Sequence, residues 1–182
     1  MLLKSTEVPT LSEEKQPLIL TLWMNEQAQL YFDNLRSTYF PPERNYLAAH
    51  LTLFHALPDE KYIFDDIVAL CKKIEVFDIK ARDIASLGNG TAIKIDAPML
   101  VAVHRKLQER WLPVLSNQDK QQLWPHITIQ NKVSATEAKK LKEALTAKFK
   151  PFVFKATGLK LWRYLGGPWE AVKSFSFQED DV

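Results

Sequence analysis

Two short segments of the chain share the order histidine, apolar residue, threonine, apolar residue. They are His50-Leu51-Thr52-Leu53 and His126-Ile127-Thr128-Ile129. In an extended strand alternate side chains share a face, so each histidine lies beside its threonine and the aliphatic residues point the other way. An imidazole titrates near neutrality, and a hydroxyl can donate a hydrogen bond. The pattern therefore predicts two polar strand faces suited to general acid–base chemistry.

Two other interpretations of the pattern remain open. Each segment alone is compatible with an ordinary half-buried strand that turns two polar residues to solvent. A metal site is the second alternative, because histidine is a common ligand. The remaining histidines fit such a site poorly: His55 is an odd number of residues from His50 and is expected to face away, and His104 is expected at a helix surface. No metal and no cofactor are expected.

The elements before and after the first segment follow from hydrophobic periodicity and turn residues. Asn25 and Asp59 are expected to cap helices, and Asn-Gly favours a tight hairpin. In chain order the prediction gives a strand at 18–23, a helix at 25–36 and a strand at 49–57. A second helix follows Asp59, with Ile63, Ile67 and Leu70 on one face. Two strands, at 76–87 and 91–96, are then joined by Gly88-Asn89-Gly90.

The second half of the chain repeats this order of elements. The prediction gives a helix from Pro98 to about Pro113 with Leu100, Val103, Leu107 and Trp111 buried, a strand at 124–130, a helix at 134–149 opened by a capping box, and strands at 152–164 and 169–177. His50 precedes Phe77 by 27 residues, as His126 precedes Val153. We therefore expect an α+β fold with two pseudo-symmetric lobes of mostly antiparallel sheet, with flanking helices around a central cleft. Residues 1–16 are predicted as an N-terminal tail and 17–182 as a single bilobal domain.

Composition agrees with a globular protein of one domain. The chain has 182 residues, of which 46% are hydrophobic and 11% aromatic. Its net charge of +2 is too small to support tight nonspecific nucleic-acid binding by itself. No secretory signal or membrane span is evident, and the single cysteine, Cys71, lies in an apolar stretch. A cytoplasmic monomer that does not bind membranes is expected.

Two further segments, Pro41-Pro42-Glu43-Arg44 and Gly166–Trp169, accompany the histidine motifs. In these segments and motifs the chain resembles the two-histidine (2H) phosphoesterases, which include bacterial 2′-5′ RNA ligase-like proteins and cyclic phosphodiesterases. The resemblance covers nearly the whole chain beyond the tail. It implies metal-independent hydrolysis of 2′,3′-cyclic phosphate or 2′-5′ phosphodiester bonds in RNA ends or nucleotides. The alternatives are a 2′-5′ RNA ligase that runs the reverse reaction and a non-catalytic module that binds RNA ends.

This chemistry gives each motif residue a role. One of His50 and His126 has to activate water as a base, and the other has to protonate the departing oxygen. The sequence does not decide which is which. Thr52 and Thr128 are expected to donate hydrogen bonds to the non-bridging phosphate oxygens.

Three residues near the motifs are candidates for substrate binding. Phe54 continues the predicted face of His50 and could stack on a base, or it could belong to the core. Trp124 could stack on a base or simply close one lobe. Arg44 could reach a phosphate, or it could be an ordinary surface arginine.

Overall fold

The computed structural model describes residues 15–179, which form four α-helices and seven β-strands. Most of the predicted tail, 1–14, therefore lies outside the described residues. In chain order the elements are β1 (Leu18–Met24), α1 (Glu26–Tyr39), β2 (Thr52–Leu57), α2 (Lys61–Cys71), β3 (Phe77–Ser86), β4 (Thr91–Asp96), α3 (Pro98–Trp111), β5 (His126–Gln130), α4 (Ala135–Thr146), β6 (Phe152–Tyr164) and β7 (Trp169–Ser176). Two short 3₁₀ helices lie at Pro42–Arg44 and Leu112–Val114.

All seven strands belong to one antiparallel sheet, and this confirms the predicted α+β class. The strand order is β2-β1-β6-β3-β4-β5, and β7 pairs with β6. Each lobe is one half of this order, so the lobes are joined through the pairing of β6 with β3. The two motif strands, β2 and β5, lie at opposite ends of the order.

The sheet curls so that its end strands approach the same helix. Arg36 in α1 donates one hydrogen bond to the carbonyl of Leu47, just before β2, and another to the carbonyl of Thr128 in β5, both at 3.0 Å. Helix α1 also packs directly against β5. The two histidine motifs therefore face a common groove, although they are far apart in the strand order.

Aliphatic stripes on the helices cover the sheet as predicted. Ile63, Ile67 and Leu70 of α2 are buried. The predicted stripe of α3 is buried as well, including Trp111. Burial of such stripes is the main favourable term in the folding of a domain of this size. Within residues 15–179, no helix combines the length and hydrophobicity that a membrane span requires.

Two of the three predicted N-cap residues, Asn25 and Ser134, occupy the N-cap position, and Ser134 caps with its side chain. Ser134 forms a capping box with Glu137 at the start of α4. Asn25 makes no side-chain cap hydrogen bond to α1, because its side-chain oxygen accepts a hydrogen bond from the backbone N–H of Lys155 in β6. Asp59 does not cap α2 either, since its carboxylate pairs with Arg163 at 3.0 Å. Tertiary partners have displaced the local ones at both positions.

Both motif strands begin later than predicted, at Thr52 and at His126. Before β2, side chains of α1 take the place of a neighbouring strand. The side-chain amide of Gln29 donates to the carbonyl of Ala49 at 2.8 Å, and the carboxylate of Asp33 accepts from the backbone N–H of Ala49 at 2.6 Å. His50 therefore follows a segment that is held by a helix and not by the sheet.

Candidate active site

The two motif histidines have the same orientation. Nδ1 of His50 lies 2.8 Å from the carbonyl oxygen of Ala48, and Nδ1 of His126 lies 2.8 Å from that of Trp124. A carbonyl oxygen can only accept, so each Nδ1 carries a proton and donates it. Each Nε2 is left to exchange a proton with a ligand.

Each motif histidine also packs against a tryptophan. The ring of His126 stacks on Trp124 with 4.4 Å between centroids, and the ring of His50 lies 4.6 Å from Trp169. Trp124 is 41% exposed, so its indole packs on the histidine and also borders solvent. Trp169 had no assigned role in the sequence analysis beyond the resemblance. Its position after the Gly166-Gly167-Pro168 turn is the only local signal that pointed to it.

The faces of the motifs alternate as their spacing predicts. Leu51, Leu53, Ile127 and Ile129 are at most 2% exposed, whereas the histidines and threonines of the motifs are half-buried. The side chains of Thr52 and Thr128 keep part of their surface exposed, and Thr128 lines the same cavity as His50. Both hydroxyls are therefore available to a ligand in the groove.

Three polar residues on one face of α1 hold the backbone before His50. Gln29 and Asp33 bind Ala49, and Nε of Arg36 donates to the carbonyl of Leu47. The guanidinium also stacks on the ring of Phe40 at 3.9 Å. Because Arg36 also donates to the carbonyl of Thr128, one side chain links the segment before the first motif to the backbone of the second. Polar residues at positions i, i+4 and i+7 are typical of a solvated helix face, so their spacing alone gives no signal of this role.

The pKa values of both motif histidines lie below the ordinary value. Burial, together with the smaller effects of the charges of Arg36, His126 and His55, lowers the pKa of His50 to about 4 against the effect of the Ala48 carbonyl. Burial also lowers the pKa of His126, against the effect of the Trp124 carbonyl. A histidine that stays neutral down to low pH is suited to accept a proton.

The predicted role of Phe54 as a base-stacking residue is wrong. Phe54 is fully buried, stacks on His104 at 4.5 Å and contacts Trp111 edge to face at 5.2 Å. The cause is a register shift: Leu20 of β1 pairs with Phe54, but the next residue, Thr21, pairs with Thr52. The extra residue in β2 breaks the alternation and turns Phe54 into the core.

His55 follows this irregularity in β2, and its Nδ1 is hydrogen-bonded to the carboxylate of Asp119 at 3.1 Å. Its side chain is 48% exposed instead of packed behind the strand. His104 was expected at the surface, but it is 3% exposed beneath Phe54.

A buried carboxylate holds the end of the first motif strand. Asp119 is 2% exposed and accepts hydrogen bonds from the backbone N–H groups of His55 and Ala56 at 2.8 and 3.0 Å. It also accepts from Nδ1 of His55 and from the hydroxyl of Ser116. Burial raises the pKa of Asp119, but these hydrogen bonds outweigh it and leave the pKa below its ordinary value.

We expect Asp119→Ala to lower the free energy of unfolding by about 3 kcal/mol, because two buried N–H groups lose their acceptor. Urea denaturation at neutral pH measures this, with Asp65→Ala as the matched control, since Asp65 is exposed and pairs with Lys61 on the helix surface. The contribution of Asp119 is complete above its unfolded pKa and is lost as pH falls through its lower folded pKa. An equal decrease in the free energy of unfolding in the two variants would contradict the structural role of Asp119.

Arg44 lies beside the groove and is exposed. Its guanidinium donates to the carbonyl of Lys132 at 3.4 Å. It lines the same cavity as His50 and Thr128. Across residues 15–179, no three side chains of His, Cys, Asp or Glu are grouped so that they could hold a metal ion.

Comparisons with known proteins agree with this geometry. The family profile of the 2′-5′ RNA ligase superfamily matches residues 24–168. No curated protein sequence gives a significant match.

Among solved structures, TT0787 of Thermus thermophilus is similar over 90% of this chain and 99% of its own, at 15% identity and a TM-score of 0.61. E. coli LigT in complex with 3′-AMP is similar over 91% and 99%, at 18% identity and a TM-score of 0.59. LigT in complex with ATP gives 18% identity over the same shares and a TM-score of 0.57. At these identities the structures establish the fold.

Proposed function

Because the chain belongs to the 2′-5′ RNA ligase superfamily, we propose that it hydrolyses 2′,3′-cyclic phosphates on nucleotides or RNA ends. The observation that carries this proposal is the pair of histidines that face one groove with Nδ1 held by a backbone carbonyl. The crystal structures of LigT with 3′-AMP and ATP support a nucleotide ligand. The site draws on both halves of the sheet, which supports treating 17–182 as one bilobal domain.

In the proposed reaction His50 acts as the base, because its pKa of about 4 keeps it neutral over most of the pH range. Nε2 of His50 takes a proton from water, and the water oxygen attacks phosphorus. The bond from phosphorus to the 2′ or the 3′ oxygen breaks, and the departing oxygen takes a proton from Nε2 of His126. The product is a phosphomonoester beside a free hydroxyl. Proton exchange with solvent then restores both histidines.

Thr52 and Thr128 complete the proposed site. Their hydroxyls share the half-buried faces of His50 and His126. Hydrogen bonds from them to the non-bridging oxygens would hold phosphorus between the imidazoles and stabilise charge in the transition state. No metal ion enters these steps, so the reaction is expected to continue in EDTA.

We expect a bell-shaped dependence of kcat/KM on pH with its maximum on the acidic side of neutrality. Activity rises as pH increases through about 4, where His50 loses its proton, and falls as pH increases through the pKa of His126, which lies below the ordinary 6.5. Initial rates with a 2′,3′-cyclic nucleotide measure the profile. A rate that keeps rising above pH 8 would contradict the requirement for a protonated His126.

A further inference from the structure

A cavity of about 400 Å³ adjoins the motifs and is rich in positive charge. Its lining includes His50 and Thr128 together with three cations, Arg36, Arg44 and Lys132. No Asp or Glu lines it within residues 15–179. A concave site with several cations and no carboxylate favours an anionic ligand.

Arg36 is the most deeply placed of these cations, at 5% exposure. Burial lowers its pKa to about 10, against the effect of the Asp33 carboxylate, so it is still charged at neutral pH. Its hydrogen-bond partners within residues 15–179 are the side-chain oxygen of Asn45 and the carbonyls of Leu47 and Thr128, none of them anionic. A buried charge without a directly bonded counter-ion is costly, and an anion in the cavity would offset that cost.

Lys132 has an unusual backbone for a lysine. Its φ of 60° makes it the only described residue other than glycine with a positive φ. This conformation costs a lysine about 1 kcal/mol relative to glycine. The side chain of Asn131 and the guanidinium of Arg44 hold it, by bonds to its N–H at 2.8 Å and its carbonyl at 3.4 Å. A strained residue beside a candidate site suggests that its side chain has a function.

We propose that this cavity is a second phosphate subsite, which binds a phosphate group of the substrate other than the cyclic one. This inference rests on the proposed function. The cavity shares His50 and Thr128 with the catalytic groove, so a phosphate bound there belongs to the same molecule as the reacting one. Arg44 and Lys132 line the exposed side of the cavity, and Arg36 lines its buried side. The preferred substrates therefore carry two phosphates.

Three substrates with 2′,3′-cyclic phosphate ends test this inference. They are a nucleoside with a free 5′-hydroxyl, the same nucleoside with a 5′-phosphate, and a dinucleotide. In the parent protein we expect kcat/KM to be at least about tenfold higher for a two-phosphate substrate, since a charge-assisted hydrogen bond contributes about 1.5–3 kcal/mol. The two-phosphate substrate with the higher kcat/KM shows whether the second phosphate is a 5′-phosphate or the phosphodiester of a strand.

The substitution Lys132→Gly removes the charge and suits the backbone, so it is expected to melt no lower than the parent. In this variant we expect the ratio of kcat/KM between the two-phosphate and one-phosphate substrates to fall by about fivefold or more. Arg44→Gln should lower the same ratio. Lys139→Gln, an exposed lysine on α4, is the matched control and should keep the parent ratio. An unchanged ratio in Lys132→Gly overturns the subsite.

A binding measurement keeps the subsite testable if the parent turns over none of these substrates, a result that would refute the proposed function. Calorimetry compares adenosine 3′,5′-bisphosphate with 3′-AMP. The parent should bind the bisphosphate at least about tenfold more tightly, and Lys132→Gly should lose most of that difference. Equal affinities of the parent for the two nucleotides would overturn the subsite whether or not the protein is an enzyme.

Discussion

Replacing His50 or His126 by alanine is expected to reduce kcat for a 2′,3′-cyclic nucleotide by about 10²–10⁴-fold, the usual contribution of a positioned acid or base. In the proposed reaction Nε2 of His50 accepts a proton and Nε2 of His126 donates one, and each variant removes one of these nitrogen atoms. Because both transfers belong to one step, the double variant should lose little more than the worse single variant. Steady-state kinetics of the three variants and the parent measure this.

Binding separates the loss of chemistry from the loss of fold or affinity. We expect 3′-AMP to bind both single variants within about tenfold of the parent, since Thr52 and Thr128 remain. Thermal melting checks the fold, and Lys139→Gln is the control for substitution as such. If kcat survives and only affinity falls, the histidines bind a phosphate end, and the account of an acid–base pair is wrong.

Arg36 gives the second large effect that we expect. Arg36→Lys keeps the charge but cannot donate to Leu47 and Thr128 in the geometry of the guanidinium. The two motifs should then shift relative to each other, and a displacement of about 1 Å can lower the rate by about 10²-fold. We expect kcat to fall by about 10–100-fold, whereas KM for a cyclic nucleotide changes less.

A positioning role for Arg36 can be told from a general loss of structure by the pH profile. The charge of Arg36 lowers the pKa of His50. Arg36→Met should therefore move the acidic limb of kcat/KM to higher pH, whereas Arg36→Lys should leave it in place. Guanidinium ion added to Arg36→Ala should restore part of kcat. If the acidic limb is the same in the Met and Lys variants, Arg36 has no electrostatic effect on His50.

Residue spacing predicted the parts of the site that depend on local geometry. The alternation of polar and aliphatic residues in both motifs needs only an extended backbone, and the structure shows it. The capping box at Ser134 and the hairpin at Gly88–Gly90 are local as well, and both are present. The strand order, which places β2 and β5 at opposite ends of a curled sheet, depends on pairing between distant segments, and no local pattern encodes it.

The residues that the sequence misplaced lie where a distant partner decides the conformation. The side-chain orientations of Phe54 and His55 follow from a register shift, which exists only in the pairing of β2 with β1. His104 is an exception, because its spacing of four residues from Leu100 and three from Leu107 places it on the buried face of α3. Arg36 looked like an ordinary residue of a helix face, and its importance comes from a hydrogen bond to a residue 92 positions away.

The most direct test of the proposed function is hydrolysis of a short RNA ending in a 2′,3′-cyclic phosphate by the parent protein in EDTA. Product analysis by chromatography distinguishes the 2′- from the 3′-phosphomonoester. We predict one isomer, formed at a rate that EDTA does not change and that His50→Ala and His126→Ala abolish. Loss of activity in EDTA, or undiminished activity in either histidine variant, would contradict the two-histidine mechanism.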